Sequence, residues 1–535
     1  MLNRIKLIIL GATISLVGCN QTLPTKQLQQ TPVETDPLAA IDWQEADQLC
    51  TNLRSNNYDG PEYSDLWNRL RAGYRIPPNS HDRVQKHLAW YAKHPTYIKR
   101  VTERGELYLH HIVEELEKRN MPTELALLPI VESAFDPFAY SHGRASGMWQ
   151  FVPATGRHYG LKQNWWYDGR RDALASTQAA INYLEALNRR FKGDWLLALA
   201  AYNAGEGNVG KAIRRNKKLG KPTDFWSLKL PRETKAYVPQ LLALSQLVMN
   251  PEQYNAVLNP IGNKPYFSVV EVGSQIDLAQ AASLADISLN DLYKLNAGFN
   301  RWATDPKGPH RLLVPVAKAD GFRQALGGLD VDSRISWERY KVKSGDSLLA
   351  IAKHFNTTVE VLKDQNNIRG SMIRQSQMML IPKASQPVTQ YVHSENQRIK
   401  RTQARSKGKS GTRKVRYSVK AGDSLWSIAR TYKVKVSQLA KWNGMAPKDT
   451  LRESQKLVIW APEERAKLVR SSQKSGNEII RKVAYQVRKG DSLARIAGKF
   501  NLSVNDIVRW NPLKNSKYIH PGQSLTLFVD VTRTN

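Results

Sequence analysis

Apolar positions recur at helical spacing through the first half of the chain and shrink to short alternating runs in the second. Leu109, Ile112, Val113 and Leu116 lie on one helical face, with Glu and Lys between them. Thr177 to Phe191, Trp195 to Asn203 and Lys235 to Val248 also read as helical, and no clear strand run interrupts them. Residues 41–255 therefore read as a compact all-α domain. Inside it, the apolar run Leu125 to Val131 ends in a carboxylate, Glu132. Met121-Pro122-Thr123 opens that helix, with proline tolerated in the first turn. Phe135-Asp136-Pro137 closes it, because a residue before proline is pushed out of the helical region.

The second half is built from repeats. Tyr340-Lys-Val-Lys-Ser-Gly345-Asp346-Ser347-Leu348 returns as a block starting at Tyr417, with Gly422 and Asp423, and again at Tyr485, with Gly490 and Asp491. Each Asp is followed twenty positions later by an Asn: Asn366, Asn443 and Asn511. A short strand meets a Gly-Asp turn, Asp or Ser caps a helix, a second helix ends at the Asn, and a closing strand follows. In the first unit the first helix is expected over Leu348 to Phe355 and the closing strand over Met379 to Ile381. This gives small α+β (βααβ) modules at 338–383, 415–461 and 483–530. A degenerate copy is expected within 256–330, where Phe267 to Gly273 and Leu292 to Asn296 echo the repeat at slightly longer spacing. Residues 384–414 and 462–482 read as basic linkers. Arg398 to Arg416 carries nine Lys or Arg and no acid, which suggests a solvated segment drawn to anionic surfaces.

The position of Glu132 suggests chemistry. Burial beside an apolar run and the negative end of a helix dipole both disfavour its charged form. A carboxylic acid still protonated near neutral pH suits a general acid that protonates a glycosidic oxygen. An ordinary surface glutamate at a helix end is the alternative. Most glycosidases use two carboxylates, and the nearby candidate here, Asp136, reads as a turn residue before proline. Asp168 and Asp172, in a Trp-rich loop with Arg170 and Arg171, read as structural. The histidines are scattered without metal-ligand spacing, so neither a metal nor a cofactor is expected.

The chain has 535 residues, a formal net charge of +32, 14 Trp and 21 Tyr. The length suggests several domains, the charge an anionic partner, and the aromatic content surfaces that stack on flat rings such as sugars. The two cysteines, Cys19 and Cys50, supply neither a disulfide framework nor a Cys-based zinc site. Residues 1–18 form a targeting segment, with Arg4 and Lys6 before the apolar run Leu7 to Val17, which is too short to span a bilayer comfortably. Residues 19–40 are Gln-, Thr- and Pro-rich and read as a flexible tether.

Four ordered blocks carry a resemblance. They are Glu132-Ser133-Ala134-Phe135, Gly147-Met148-Trp149-Gln150, Ala201-Tyr202-Asn203-Ala204-Gly205 and Glu233-Thr234-Lys235-Ala236-Tyr237-Val238. They resemble the lytic transglycosylases of the goose-lysozyme-like superfamily, patterns E-S-x-F, G-[LM]-x-Q, A-Y-N-A-G and E-T-x-x-Y-V. The resemblance implies a lysozyme-like fold and a single-acid mechanism on peptidoglycan. Glu132 would protonate the oxygen between N-acetylmuramic acid and N-acetylglucosamine, then accept the C6 hydroxyl proton, giving a 1,6-anhydromuramoyl end. A hydrolase of the same fold, or a non-catalytic wall-binding protein, are the rival readings. Ser141 is implied to hydrogen-bond near the scissile bond, or is a plain loop serine. Gln150 suits an N-acetyl group or a sugar hydroxyl. Tyr202 would support the acid, Asn203 would face the cleft, and Tyr237 would hydrogen-bond near Glu132; for both tyrosines the alternative is a core aromatic with a satisfied hydroxyl. Met148 and Trp149 read as core, or for Trp149 as cleft wall.

The repeats resemble LysM modules, which bind N-acetylglucosamine-containing glycans. Their Gly, Asp and Asn residues are then expected mainly to build turns beside the sugar groove. Leu16-Val17-Gly18-Cys19 resembles a bacterial lipobox, which implies cleavage before Cys19 and its lipidation; an ordinary cleaved signal peptide or a short membrane anchor is the alternative. Asn20 at the next position points to the periplasmic face of the outer membrane. Cys50 would then be an unpaired, buried thiol. The expected partners are peptidoglycan strands and a membrane reached through Cys19; behind a lipobox, nucleic acid is not expected.

Overall fold

The computed structural model describes residues 63–535 apart from 356, 475–479, 501, 512, 514–518 and 531–535. Cys19, Cys50, the targeting segment and the tether lie outside the described residues.

Helices α1 (Leu66–Ala72), α2 (Asp82–Ala92), α3 (Pro95–Gly105) and α4 (Leu109–Glu117) lead into a 3-10 turn, Thr123–Leu127, and the short α5 (Leu128–Ser133). Then come α6 (Pro153–His158), α7 (Ala173–Arg190), α8 (Trp195–Ala204), α9 (Glu206–Lys218) and α10 (Arg232–Met249). Asp172 caps α7 and Asp194 caps α8, each accepting a backbone N–H three residues on. The centre of α8, Leu197 to Ala201, is buried, so α7, α9 and α10 pack around it. Its small residues allow the close approach, and at its C-terminal end α8 leaves the core at Tyr202, where it reaches the site.

The other units are two-stranded. β1 (Phe267–Glu271) pairs antiparallel with β2 (Arg311–Pro315), bracketing α11 (Leu278–Leu284) and α12 (Leu289–Leu295). After α13 (Val316–Gly327), β3 (Ser336–Lys341) and β4 (Met378–Lys383) enclose α14 (Leu348–His354) and α15 (Val359–Gln365). After α16 (Glu395–Arg405), β5 (Thr412–Ser418) and β6 (Lys456–Pro462) enclose α17 (Leu425–Thr431) and α18 (Val436–Trp442). After α19 (Glu463–Lys474), β7 (Ile480–Gln486) and β8 (Ser524–Asp530) enclose α20 (Leu493–Lys499) and α21 (Val504–Trp510).

One device closes every unit. Asn296, Asn366, Asn443 and Asn511 each donate from Nδ2 to the carbonyl four residues back and to a closing-strand carbonyl. Each Oδ1 accepts the N–H of that same strand residue. The degenerate copy thus shares the clamp of the three clear repeats.

The first basic linker keeps its Lys and Arg run exposed, apart from half-buried Arg398, but it is tied down at its start. Tyr391 is buried and donates to Asp277, the cap of α11. Glu395 pairs with buried Arg301 at 2.6 Å, and His393 and Arg398 cover the ring of Phe138. Helix α16 is a strap laid against the folded units. In the second linker the structure places α19, where polar solvated chain was expected.

Candidate active site

Glu132 is the penultimate residue of α5. The helix stops earlier than proline alone requires. Ala134 and Phe135 both take φ of 54°, and their N–H groups return to the carbonyls of Ile130 and Pro129. A left-handed conformation costs a non-glycine residue roughly 1–2 kcal/mol. The buried Phe135 ring, stacked on Tyr108 and against Gly105, offsets it. Ser133 ties the same helix end to the next block, donating to the Met148 carbonyl at 3.0 Å.

Glu132 lies in a cleft of about 580 Å³ that Ser141, Gln150, Tyr202, Asn203, Glu233, Tyr237 and Gln240 also line. The Tyr237 hydroxyl donates to Glu132 Oε1 at 2.5 Å. Burial pushes the Glu132 carboxyl up to about 8; the Tyr237 bond pulls it down, and the negative charge of Glu233 adds to the rise. Burial outweighs the rest. The six-residue α5, with the Pro129, Ile130 and Ser133 carbonyls bonded, leaves little for a helix dipole to contribute. Tyr237 itself is held far above the ordinary tyrosine range by burial and by Glu132, so it stays a donor. With Oε1 occupied, the transferable proton belongs on Oε2.

The remaining candidates sort by their bonds. Ser141 Oγ accepts the N–H groups of Gly143 and Ala145 at 3.2 and 3.0 Å. It is a loop-building serine that also lines the cleft, and its own hydrogen is left to donate. Gln150, at φ 48°, turns its Nε2 to the Gly147 carbonyl, which leaves Oε1 for a ligand. Asn203 Oδ1 accepts the Thr234 hydroxyl at 2.8 Å, which leaves the NH₂ end for a ligand. Tyr202 lines the same cleft, and burial followed by the Glu132 charge holds its hydroxyl well above the ordinary tyrosine range. Its hydroxyl donates to the Trp149 carbonyl at 2.9 Å, so it supports the loop beside the acid.

Trp149 is fully buried, with Nε1 donating to Thr177, and is core rather than cleft wall. Gly147 is required where it stands: it has φ 82°, and a Cβ would fall 2.0 Å from the Arg170 carbonyl. Arg170, paired with Asp168, donates to the carbonyls of Arg144 and Phe151. Asp136 accepts the Phe138 N–H as a turn residue.

Sequence reasoning missed Glu233 as a second carboxylate of this cleft. The signal was available, because Glu233, Tyr237 and Gln240 fall on one face of α10 at i, i+4 and i+7.

In the modules, Gly345, Gly422 and Gly490 have φ of 83°, 83° and 90°. Asp346, Asp423 and Asp491 each accept the hydroxyl of the strand tyrosine and a backbone N–H in the turn. With the Asn clamps, these side chains are occupied by the fold. In the second module, Trp426 near the turn is 61% exposed with Arg430 over its ring.

Residues 111–225 match the Transglycosylase SLT domain family. Residues 266–330 match the family described as "Lytic transglycosylase MltD, LysM-like domain". Residues 340–382, 417–460 and 485–528 match the LysM domain. The chain is 38% identical over 452 residues to "Membrane-bound lytic murein transglycosylase D" of Escherichia coli K12, covering 81% of this chain and 94% of that protein. It is 42% identical over 173 residues to a "Putative tributyltin chloride resistance protein" of an Alteromonas species, covering 31% and 83%. It is 30% identical over 194 residues to an "Autolysin" of Enterococcus faecalis, covering 35% and 24%.

Proposed function

The chain belongs to the membrane-bound lytic murein transglycosylase D family, and from that premise we propose how its cleft works: Glu132 serves first as acid and then as base. The protein is a peptidoglycan lytic transglycosylase that cleaves the β-1,4 bond between N-acetylmuramic acid and N-acetylglucosamine without water. The observation that carries the assignment is the raised carboxyl of Glu132, fixed by Tyr237 through one oxygen only. Oε2 gives its proton to the glycosidic oxygen as the bond to C1 breaks. The N-acetyl carbonyl of the muramoyl residue stabilises the cation at C1. The Glu132 carboxylate then takes the proton of the C6 hydroxyl, O6 bonds to C1, and the acid is restored. Ser141, Gln150 and Asn203 each keep one free polar end to orient the sugars.

The modules hold the enzyme on peptidoglycan, the glycan lying beside the Gly-Asp turns. Among the described residues no helix is long and apolar enough to cross a membrane. The relative is named membrane-bound; attachment here runs through lipidated Cys19, as its Leu-Val-Gly-Cys context supports, at the outer membrane's periplasmic face, as Asn20 at the next position supports.

The test is digestion of purified peptidoglycan by the wild type and Glu132→Gln, with masses of the released muropeptides. Products one water lighter than hydrolytic ones, absent with the variant, are expected. Hydrated reducing ends would remove the lyase mechanism, and an active Glu132→Gln would remove Glu132 from it. For the anchor, Cys19→Ser is expected in the soluble fraction; retention in the membrane would overturn that reading.

A further inference from the structure

The turn that presents Ser141 is held from two sides. From within, Arg170 donates to the Arg144 carbonyl at 2.7 Å. From outside, a single carboxylate of the second LysM module reaches both arms of the turn. Tyr140 donates its hydroxyl to Asp449 at 2.9 and 3.0 Å, and Arg144 Nε lies 2.8 Å from Asp449 Oδ1. The Asp449 side chain is 15% exposed, and it also accepts the Ala446 N–H at 2.8 Å, which fixes it in its own loop. Ser141 sits between the two residues that Asp449 holds.

A second set of contacts fixes the module itself. At its start, α16 is anchored by Glu395 to Arg301 and to the Asn300 carbonyl, with His393 stacked on Phe138 at the base of the same turn. Near its end, Gln403 donates to Asn443 Oδ1 and to the Lys456 carbonyl of the second module. A short rigid strap therefore joins the cleft loop to the module that grips it, where a flexible linker would let the module drift.

We propose that Asp449 is a positioning residue for the transglycosylase reaction: the second LysM module, seated by the strap, sets the cleft turn that carries Ser141. Module and cleft then act as one glycan-handling surface. The proposal rests on the lytic transglycosylase reading of the cleft. It predicts that breaking the contact lowers turnover even on substrates too short to reach the module.

The test uses the full chain. Asp449→Ala is compared with Tyr140→Phe/Arg144→Gln, which removes the same contacts from the other side and leaves the module untouched. Turnover is read on short soluble glycan fragments, and binding by pelleting with insoluble peptidoglycan. Both variants are expected to lose about tenfold in kcat on the short fragments, the scale of a slightly misplaced substrate-orienting group, with pelleting unchanged. Asp449→Glu is expected to recover most of the loss. Unchanged kcat in both variants, with an active wild type, overturns the proposal. Loss in Asp449→Ala alone also overturns it, because the module and not the contact would then be at fault. An inactive wild type would strike instead at the reading of the cleft.

Discussion

The hydroxyl of Tyr237 donates to Oε1 of Glu132 at 2.5 Å, across 105 residues of sequence. This bond opposes the burial that lifts the Glu132 carboxyl to about 8. Because the reaction starts from the protonated acid, kcat is expected to hold level through the neutral range and fall as pH rises through about 8. Tyr237→Phe removes the hydrogen bond that stabilises the charged form. Its falling limb should therefore move to higher pH, while kcat drops about 10- to 100-fold from lost orientation. A pH–rate profile of both proteins checks this, and a limb that moves down would sink the assignment.

Glu233 acts in the other direction. Its negative charge raises the Glu132 carboxyl, so Glu233→Gln should let Glu132 ionise more easily. The falling limb is then expected at lower pH than in the wild type, with the products still one water lighter. If Glu233 were instead the base of a hydrolytic pair, its removal would abolish activity at every pH. The direction of the limb in the two single variants, opposite in sign, separates charge tuning from direct chemistry.

The same carboxyl weighs on stability. Above about pH 4.5 the unfolded chain loses the Glu132 proton while the folded chain keeps it. Folding therefore loses free energy as pH rises through the window between 4.5 and about 8. Glu132→Gln has no proton to lose and should be more stable than the wild type at pH 8, by on the order of 1–3 kcal/mol. The advantage should vanish near pH 4. Denaturant unfolding of the catalytic unit at the two pH values measures it. An advantage equal at both would mean that the gain comes from packing and not from the raised carboxyl.

The pairing of Glu132 with Tyr237 was readable in the sequence, because both lie in short recognisable blocks. Glu132 ends an apolar run, and Tyr237 stands one helical turn after Glu233. The α-helical unit and the three repeats were readable for a similar reason: their signals are local, in apolar spacing and Gly-Asp turns. For Tyr202 a block gives identity but not which carbonyl its hydroxyl meets 53 positions away. The strap's anchorage was not readable, because the exposed run of Lys and Arg that marks the segment carries no sign of it. Its fixing contacts, Glu395 to Arg301 and Tyr391 to Asp277, join residues 94 and 114 positions apart. No local pattern carries such pairings.

The Asn clamp distinguishes a fold-building residue from a sugar ligand. In the second module Asn443 is fully buried, with Nδ2 bound to the carbonyls of Leu439 and Val458 and Oδ1 to the Val458 N–H. Asn443→Ala leaves three buried backbone groups without these partners, at a cost of about 1–3 kcal/mol for each group left unsatisfied. The βααβ unit is small and its core modest, so a loss of that size should open the module before it unfolds the catalytic helices. Hydrogen exchange is expected to show lost protection along β5 and β6 and unchanged protection in α7, α8 and α10. Opening the module also frees Asp449, so kcat on short glycan fragments should fall to the level of Asp449→Ala. If Asn443 were a direct glycan ligand, the variant would keep full protection in β5 and β6 and lose only its hold on peptidoglycan.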